Sequence, residues 1–216
     1  MENIITAGNI PGKIMVVVPC VLTAVGIVHR LKSIPRINKL VNNIKRLDEA
    51  YGDVLMAPGS LVILNISESS MQLAEEVKFI NWCLTVQPTT AIVAYTRNHK
   101  PGVLNYISAL GVRAIISQIE PTATFTDLII KSFSSKSMIS SPMIRNILDT
   151  RISSELTVCE AQVMGQLFLG YNVSQVAQSL GRNIRTVSAH KRHAMEKLGL
   201  QCEKDLHELG CAFSGK

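Results

Sequence analysis

The stretch that decides the fold of the C-terminal half covers residues 157–200 and reads TVCEAQVMGQLFLGYNVSQVAQSLGRNIRTVSAHKRHAMEKLGL. It opens with a T-x-x-E capping box, Thr157 and Glu160, in which side chain and backbone satisfy each other's helix-end donors. Apolar residues then recur at helical spacing until Gly170, and glycine accepts the left-handed conformation that ends many helices. The pattern predicts one amphipathic helix, followed at once by further helix-start signals.

Two more helices follow, separated by a very short turn. Asn172 can cap the first of them, with Gln175 three residues on as the reciprocal partner, and this helix stops at Gly181. Asn183 then caps a helix that we expect to extend to about Leu198. So short a turn suits a helix-turn-helix, whose second helix enters the DNA major groove.

The last of the three helices has an apolar face and a basic face. Between residues 182 and 197 there are five Lys or Arg and one acid. A charge run alone is equally typical of a solvated helix face, but small residues interleaved with arginine favour DNA, because alanine can touch a thymine methyl and arginine can pair with a guanine edge. The backbone amides of residues 183–186 form a natural phosphate cradle. We expect Ile184, Val187, Ala194 and Leu198 in the core, Arg185, Ser188, Ala189 and Arg192 on the opposite side, Lys191 and Lys197 flanking it, and His190 and His193 as additional donors.

Residues 157–200 resemble the C-terminal DNA-binding domain of LuxR-type regulators, the NarL/FixJ class of response regulators. The end of the stretch, RNIRTVSAHKRHAMEKLGL, is most similar to the capsule-regulator branch of that family. One departure is Gln175, where the family usually has glutamate. The matching positions are Leu156, Thr157, Glu160, Val163, Gly170, Val176, Ala177, Leu180, Ile184, Arg185, Thr186, Val187, His190, Lys197 and Leu198.

The resemblance implies a tetrahelical domain with defined DNA contacts. Its fourth helix would cover residues 202–212, where Leu206 and Leu209 suit a dimer contact. The family's base-reading positions fall on Ser188, Ala189 and Arg192. With the capping and flanking residues, the expected DNA-binding set is Asn183, Arg185, Thr186, Val187, Ser188, Ala189, His190, Lys191, Arg192 and Lys197, in which Arg185, Thr186, Val187 and Lys197 would contact phosphates.

The N-terminal part alternates buried strands with helices, which implies a doubly wound parallel sheet, receiver-like or flavodoxin-like, ahead of the tetrahelical domain. Strands are expected at residues 14–18, 61–66, 90–95 and 113–117, with a weaker edge strand at 37–44. Helices are expected at 21–31, 71–84, 103–110 and 124–133. In such sheets, sites lie at the carboxyl ends of the strands.

The order and spacing of these segments resemble the receiver domain of the same family, but the chemistry of that domain is missing. The resemblance places the Mg²⁺-binding acidic pair at Val18 and Pro19, the phospho-acceptor at Asn65, and the lysine at Gln118. Only the hydroxyl residue, Thr96, is retained. Valine and proline offer no oxygen ligand to Mg²⁺, and an asparagine amide cannot form an acyl phosphate. No Asp occurs between residues 54 and 126, so a shifted alignment does not restore the acceptor. We therefore predict a degenerate site with no aspartyl phosphorylation, no metal and no cofactor.

A receiver that cannot be phosphorylated can still dimerise. Family members pair through the helix after the Thr96 strand and the next strand, here residues 101–110 and 113–117. We expect domains at 1–135 and 153–216, joined by a linker at 136–152. Residues 132–141 are rich in serine and are expected to be flexible, after which Ser141 and Pro142 start a short helix to about Leu148.

Bulk composition limits the remaining possibilities. The chain has 216 residues, a formal charge of +6 and a pI of about 9.2, a mild excess that favours a polyanionic partner. Five widely spaced cysteines indicate reduced thiols in a cytosolic protein. The apolar run 14–28 is short for a membrane span and contains Pro19, so we interpret it as a strand and helix of a soluble protein. The basic segment 30–46 could contact DNA or an acidic partner, although a solvated rim explains it more simply.

These observations favour a bacterial, cytoplasmic, sequence-specific transcription regulator. It would bind double-stranded DNA as a homodimer, or as a heterodimer with a related response regulator that can be phosphorylated. The alternative is an interaction protein that titrates another regulator without binding DNA itself. An enzyme has no support, because no nucleophile–base pair, metal cluster or phosphate loop occurs, and no small-molecule ligand is evident.

Overall fold

The computed structural model describes residues 11–34, 37–38, 40–44, 46–135, 137–148 and 154–214, without the side chains of residues 43 and 44. Six strands and ten helices are defined in these ranges. The strands are β1 Ile14–Val17, β2 Val41–Ile44, β3 Leu61–Ile66, β4 Ala91–Thr96, β5 Ala114–Ser117 and β6 Ile139–Ser140. The helices are α1 Val21–Lys32, α2 Leu47–Met56, α3 Ser70–Val86, α4 Pro101–Ala109, α5 Thr122–Ser132, α6 Pro142–Ile147, α7 Val158–Phe168, α8 Val173–Ser179, α9 Ile184–Lys197 and α10 Glu203–Ser214.

The strands form one parallel sheet with the order β2-β1-β3-β4-β5-β6. The chain winds outward from β1 in both directions, which confirms the predicted doubly wound architecture. The four helices α7–α10 follow it and confirm the predicted helical domain. Among the described residues, no helix is long and apolar enough to cross a membrane. All five cysteines are free thiols.

Three local predictions were wrong. The weak edge strand, expected at 37–44, comprises only β2, and Ile37 lies buried in the turn before it. Helix α2 was missed because it buries only Ala50 and Val54, too faint a stripe to show as helical periodicity. Part of the expected flexible linker is ordered in the sheet, since β6 pairs in parallel with β5. The amide of Ser141 donates to Ile115 O at 3.0 Å, and its hydroxyl accepts from the amide of Ser117.

Each face of the sheet has its own core. On one face, side chains of α1 and α5 pack against alternate strand residues such as Ile14, Val16 and Ile63. On the other, α2, α3 and α4 cover residues such as Met15, Val62 and Leu64. This second core does not end at the sheet's own helices, because it continues without a break into α7, α9 and α10.

An aromatic cluster joins the two halves of the chain. Tyr106 of α4 lies edge-on to Phe168 of α7 and Phe213 of α10, with ring centroids 5.0 and 5.3 Å apart, while Phe168 and Phe213 stack at 4.9 Å. The contact is close enough that a Cβ at Gly102 would lie 3.1 Å from Leu209 Cδ1. The C-terminal helices therefore cover part of α4.

This packing bears on the dimer surface expected at residues 101–110 and 113–117, which stays a prediction. Val103, Leu104, Tyr106, Ile107 and Ala109 of α4 are buried within the chain, and β5 is flanked by β4 and β6. Neither element presents a free apolar face in this arrangement, and pairing through the covered part of α4 requires the C-terminal helices to move. The same holds for α10, whose Leu206 and Leu209 are buried in the shared core.

Candidate nucleic-acid interface and the acceptor site

Side-chain caps fix the first turns of α7 and α8 in the C-terminal domain. Thr157 N donates to Glu160 Oε2 at 2.8 Å, and Glu160 N donates to Thr157 Oγ1 at 3.3 Å, which completes the predicted capping box of α7. The predicted box of α8 is also present, with bonds of 2.9 and 3.0 Å between Asn172 and Gln175. Together these caps satisfy backbone donors that would otherwise be left open at the helix starts.

The turn between α8 and α9 presents the latter helix to solvent. Gly181 adopts the left-handed conformation, with φ at 61°, and so ends α8 within one residue. Asn183 then caps α9 by accepting from Arg185 N at 2.8 Å. Val187 packs with Val163 and Val176 in a small core between α7, α8 and α9. The helix is thereby held by one face, and its opposite face is free.

The free face carries most of the residues predicted to bind DNA. The exposed members are Asn183, Arg185, Thr186, Ser188 and Arg192, whereas Ala189, His190 and Lys191 are half-buried. Arg182, Arg185 and Arg192 form no ion pair with any described residue, so their guanidinium groups are available to an anionic partner. Small side chains at 188 and 189 leave the helix backbone accessible between the arginines. This geometry suits base-edge and phosphate contact in a major groove.

Two residues of the predicted set face the protein instead. The side chain of Val187 is fully buried, and its amide donates to Asn183 O within the helix, so it supports α9 from inside. Lys197 points back to α7, where its Nζ lies 2.7 Å from Glu160 Oε2 and 3.1 Å from Glu155 O. Neither side chain is placed for the phosphate contact that the family resemblance implied.

Two further residues of α9 differ from their predicted environments: Lys191 is paired with an acidic residue, and Ile184 is exposed. Lys191 Nζ lies 2.7 Å from both carboxylate oxygens of Glu203 on α10, which neutralises its charge locally. Ile184 was expected in the core but is 52% exposed. The buried stripe of α9 begins at Val187, so the first turn of the helix projects beyond its neighbours. The unpaired positive charge of this face is therefore concentrated on three arginines.

Glu160 anchors this arrangement and was recognised in the sequence only as a cap. It is 4% exposed and accepts hydrogen bonds from both Thr157 and Lys197. Burial favours the neutral acid, but the bonds from Lys197 and Thr157 outweigh it and hold the pKa of Glu160 below its ordinary value. The carboxylate is thus ionised and ties α9 to α7.

Five residues occupy the positions of the family's phosphorylation site: Val18, Pro19, Asn65, Thr96 and Gln118. The structure brings three of them, Asn65, Thr96 and Gln118, together at the carboxyl ends of the strands. Gln118 Nε2 donates to Asn65 Oδ1 at 2.8 Å and to Tyr95 O at 3.2 Å. Thr96 is fully buried, donates to Ile66 O at 3.0 Å and accepts from Asn98 N at 2.8 Å. A neutral amide pair stands where the family resemblance places a carboxylate and a lysine.

The remaining two positions do not join this network. Val18 is buried in the core under α1 and α5, and Pro19 is exposed at the start of the following loop. Among the described residues, no group of three or more His, Cys, Asp or Glu side chains is placed to hold a metal ion.

The sequence reasoning missed a carboxylate at this site. Glu76 of α3 is 5% exposed, and its oxygens accept from Ser67 N at 2.7 Å, from Ser67 Oγ at 2.6 Å, and from Asn65 Nδ2 at 3.5 Å. Burial raises the pKa of Glu76 above its ordinary value, although the bonds from Ser67 and Asn65 oppose the shift. The spacing of Leu73, Val77 and Ile80 places residue 76 on the buried stripe of α3, and that signal was available in the sequence.

Comparison with known proteins gives a family match within the C-terminal part of the chain and relatives that extend beyond it. The profile of the family described as "Bacterial regulatory proteins, luxR family" matches residues 154–208. "Transcriptional regulatory protein RcsB" of Escherichia coli K12 is 26% identical over 172 residues, which cover 75% of this chain and 72% of RcsB. "Transcriptional activator protein BglJ" of the same strain is 38% identical over 56 residues, which cover 26% of this chain and 25% of BglJ.

Solved structures show the same fold. A structure of two RcsB dimers bound to two parallel DNAs superposes with a TM-score of 0.55 and 18% identity, covering 95% of this chain and 100% of that one. The isolated REC domain of RcsB from Salmonella enterica serovar Typhimurium, in the presence of the phosphomimetic BeF3-, gives a TM-score of 0.55 with 12% identity, covering 65% of this chain and 100% of that domain. A receiver-like sheet followed by a helix-turn-helix domain is therefore shared with these proteins.

Proposed function

We propose that this chain, in which residues 154–208 belong to the luxR family of bacterial regulatory proteins, is a sequence-specific DNA-binding transcription regulator that acts without aspartyl phosphorylation. The observation that carries the proposal is the free face of α9, with three unpaired arginines beside small residues. RcsB, which resembles it over most of its length, is a transcriptional regulatory protein and has been solved on DNA. No helix of the described chain crosses a membrane, and a cytoplasmic location is part of the proposal.

Base reading is tested by substitution of Arg192. The Arg192→Ala variant should lose about 1–3 kcal/mol of binding to a selected operator, and should discriminate less at one base position. The operator would first be selected from random DNA with the purified chain, and affinity measured by fluorescence anisotropy. Lys204→Ala is the matched control, because Lys204 is an exposed cation on α10 and is not among the residues predicted to bind DNA.

The same experiment separates regulation from titration. If the chain selects no DNA sequence, alone or with a related regulator, and Arg192→Ala leaves regulation in cells unchanged, the alternative holds: it would act by sequestering another regulator. Selective binding that depends on Arg192 excludes that alternative.

Independence from phosphorylation rests on the Asn65–Gln118 pair. Asparagine offers no carboxylate, and the site lacks the lysine that would neutralise a phosphoryl group. We expect no uptake of phosphate from acetyl phosphate by intact-mass spectrometry, and unchanged DNA affinity after the treatment. A phosphorylated receiver-domain carboxylate would contradict this part of the proposal.

The proposed assembly is a homodimer, or a heterodimer with a related response regulator. RcsB occurs as dimers on DNA. In the present arrangement part of the expected pairing surface, on α4, is covered by the chain's own C-terminal helices, so we infer that pairing through α4 accompanies opening of the two halves. Light scattering with and without operator DNA tests the homodimer: two copies of the chain should bind each operator. A single copy on a full operator would contradict the homodimer, and the same measurement with a related response regulator added tests the heterodimer.

A further inference from the structure

A cavity of about 410 Å³ lies where the strand order of the sheet reverses. It is lined by Val17 and Pro19 at the end of β1, and by Leu64 and Asn65 of β3. β1 and β3 are neighbours in the sheet, but the chain leaves them toward opposite edges. In open parallel sheets, ligands bind in the crevice at the carboxyl ends of the strands at such a switch point. The volume is within the range of small-molecule sites.

The walls of the cavity are mainly apolar, and its one buried ionisable group is Glu76. Leu64 and Val17 form the floor on the sheet, and Met71 of α3 stands at the mouth, 80% exposed. The Glu76 carboxylate lines the cavity at 5% exposure, and its hydrogen-bond partners among the described residues, Ser67 and Asn65, are neutral. A buried carboxylate normally requires a cation, and none of the described side chains supplies one to it.

The other charged groups around the mouth are already paired. Arg46 Nη2 lies 2.6 Å from Asp48 Oδ2, and Lys78 Nζ lies 2.5 Å from Glu75 Oε1. Glu76 is therefore the group whose charge is left for a ligand to balance. An anionic ligand is disfavoured, because Gln118 replaces the only expected cation and Glu75 and Glu76 both line the site.

We propose that this cavity binds a small organic amine, whose ammonium group pairs with Glu76 and whose apolar body lies against Val17, Leu64 and Met71. The Ser67 hydroxyl oxygen lies 2.6 Å from Glu76 Oε1 and can accept a further hydrogen bond from the same ammonium, whereas Asn65 turns its Nδ2 toward Glu76 and keeps its Oδ1 on Gln118. The binding site would occupy the place of the lost phosphorylation chemistry. It does not depend on the DNA-binding function, and the two can be tested separately.

Binding is tested on the 216-residue chain without DNA, with two small molecules of nearly the same shape. Tryptamine carries an indole body and a primary ammonium, and tryptophol has the same body with a neutral hydroxyl. Isothermal titration calorimetry and thermal unfolding with each probe measure binding directly. We expect tryptamine to bind saturably and to raise the melting temperature, and tryptophol to bind about tenfold or more weakly, since a charge-assisted hydrogen bond is lost.

Two variants tie the binding to the cavity. Glu76→Gln should weaken tryptamine binding about tenfold, toward the affinity of tryptophol, because it removes the charge but keeps the shape. Glu68→Gln is the matched control, an exposed carboxylate at the same end of the sheet that does not line the cavity, and it should bind as the natural chain does. Circular dichroism verifies that both variants fold.

Three outcomes would overturn the proposal. They are no tryptamine binding at millimolar concentration, equal binding of tryptamine and tryptophol, or tryptamine binding that survives Glu76→Gln. None of these results bears on operator selection by α9.

Discussion

At the residue scale, two buried glutamates differ in pKa because they have different hydrogen-bond partners. Glu160 has a lysine 2.7 Å away, and its pKa is held below the ordinary value. Glu76 has neutral partners among the described residues, and burial raises its pKa. A paired buried carboxylate stabilises its surroundings, whereas one without a cation costs stability and is available for binding. The two residues therefore respond in opposite directions to pH and to substitution.

Breaking the Lys197–Glu160 pair should destabilise the C-terminal helices. We expect Lys197→Met to lower the free energy of unfolding by about 1–3 kcal/mol, because it leaves a buried carboxylate without its charged donor. Urea denaturation followed by circular dichroism measures the change. Lys204→Met is the control, since the Lys204–Glu208 pair is exposed on both sides.

The pH dependence of this loss follows from the lowered pKa of Glu160. The pair stabilises the fold above the ordinary carboxyl pKa, and its contribution is lost as pH falls through the lowered folded value. The difference between the natural chain and Lys197→Met should therefore be full at neutral pH and shrink in acid. Unchanged stability, combined with a reduced salt dependence of DNA binding, would instead place Lys197 on phosphate.

Glu76→Gln should make the protein more stable at neutral pH, by about 1 kcal/mol. The folded pKa of Glu76 is raised, so the folded state keeps a proton that the unfolded chain releases between the two pKa values. Wild-type stability therefore falls as pH rises through that window, and glutamine removes the loss. Thermal unfolding from acid to neutral pH should show the gain appear with rising pH, and a gain that is largest in acid would contradict it.

At the scale of the elements, N-terminal caps define where three helices of the C-terminal domain begin. The caps at Thr157, Asn172 and Asn183 give α7, α8 and α9 defined first turns, and each was visible in the sequence. These caps matter most for α8, which is seven residues long and would be marginal alone. The presentation of α9 depends on α8 because the two are joined by a turn of only a few residues.

Asn172→Ala should cost about 1 kcal/mol of stability, the usual loss for an N-cap. It should also weaken operator binding, because fraying of α8 loosens the start of α9. Denaturation and anisotropy measure the two effects. Ser174→Ala is the control, an exposed position inside α8, and Asn172→Asp should recover most of the loss. Equal effects of the two alanine variants would show that the cap is not needed.

Elements with a strong period or a cap could be predicted from the sequence, and those that depend on partners could not. The buried strands β1 and β3 and the α8–α9 turn were found because each is specified by adjacent residues. β6 has two residues and exists only because β5 offers an open edge. Likewise, Lys197 was predicted to contact DNA because it is a basic residue of α9. Its side chain is directed instead by Glu160, which lies 37 positions away in the chain. For Asn65 and Gln118, the sequence predicted only the loss of the carboxylate and the lysine. It did not predict the hydrogen bond between the two amide side chains.

At the scale of the whole molecule, one of its hydrophobic cores spans both halves of the chain. Phe213→Ala should lower the free energy of unfolding by about 3–5 kcal/mol, because it opens a cavity between Tyr106 and Phe168. The same change should increase the radius of gyration in small-angle scattering, since it weakens the contact that closes α10 onto α4. Val158→Ala, at a 45% exposed position on α7, is the control and should change neither quantity measurably. A destabilised but equally compact variant would show that other contacts hold the halves together.

The aromatic cluster of Tyr106, Phe168 and Phe213 also bears on how such a chain can change over time. Regulators built from separable modules can be recombined, because each module keeps its own interior. Here, joining the C-terminal helices to the sheet of another protein would expose Phe168 and Phe213. The sheet domain left behind would expose Tyr106, which those helices now cover. The two halves are therefore expected to be inherited together, and substitutions at these three positions to be tolerated only in concert.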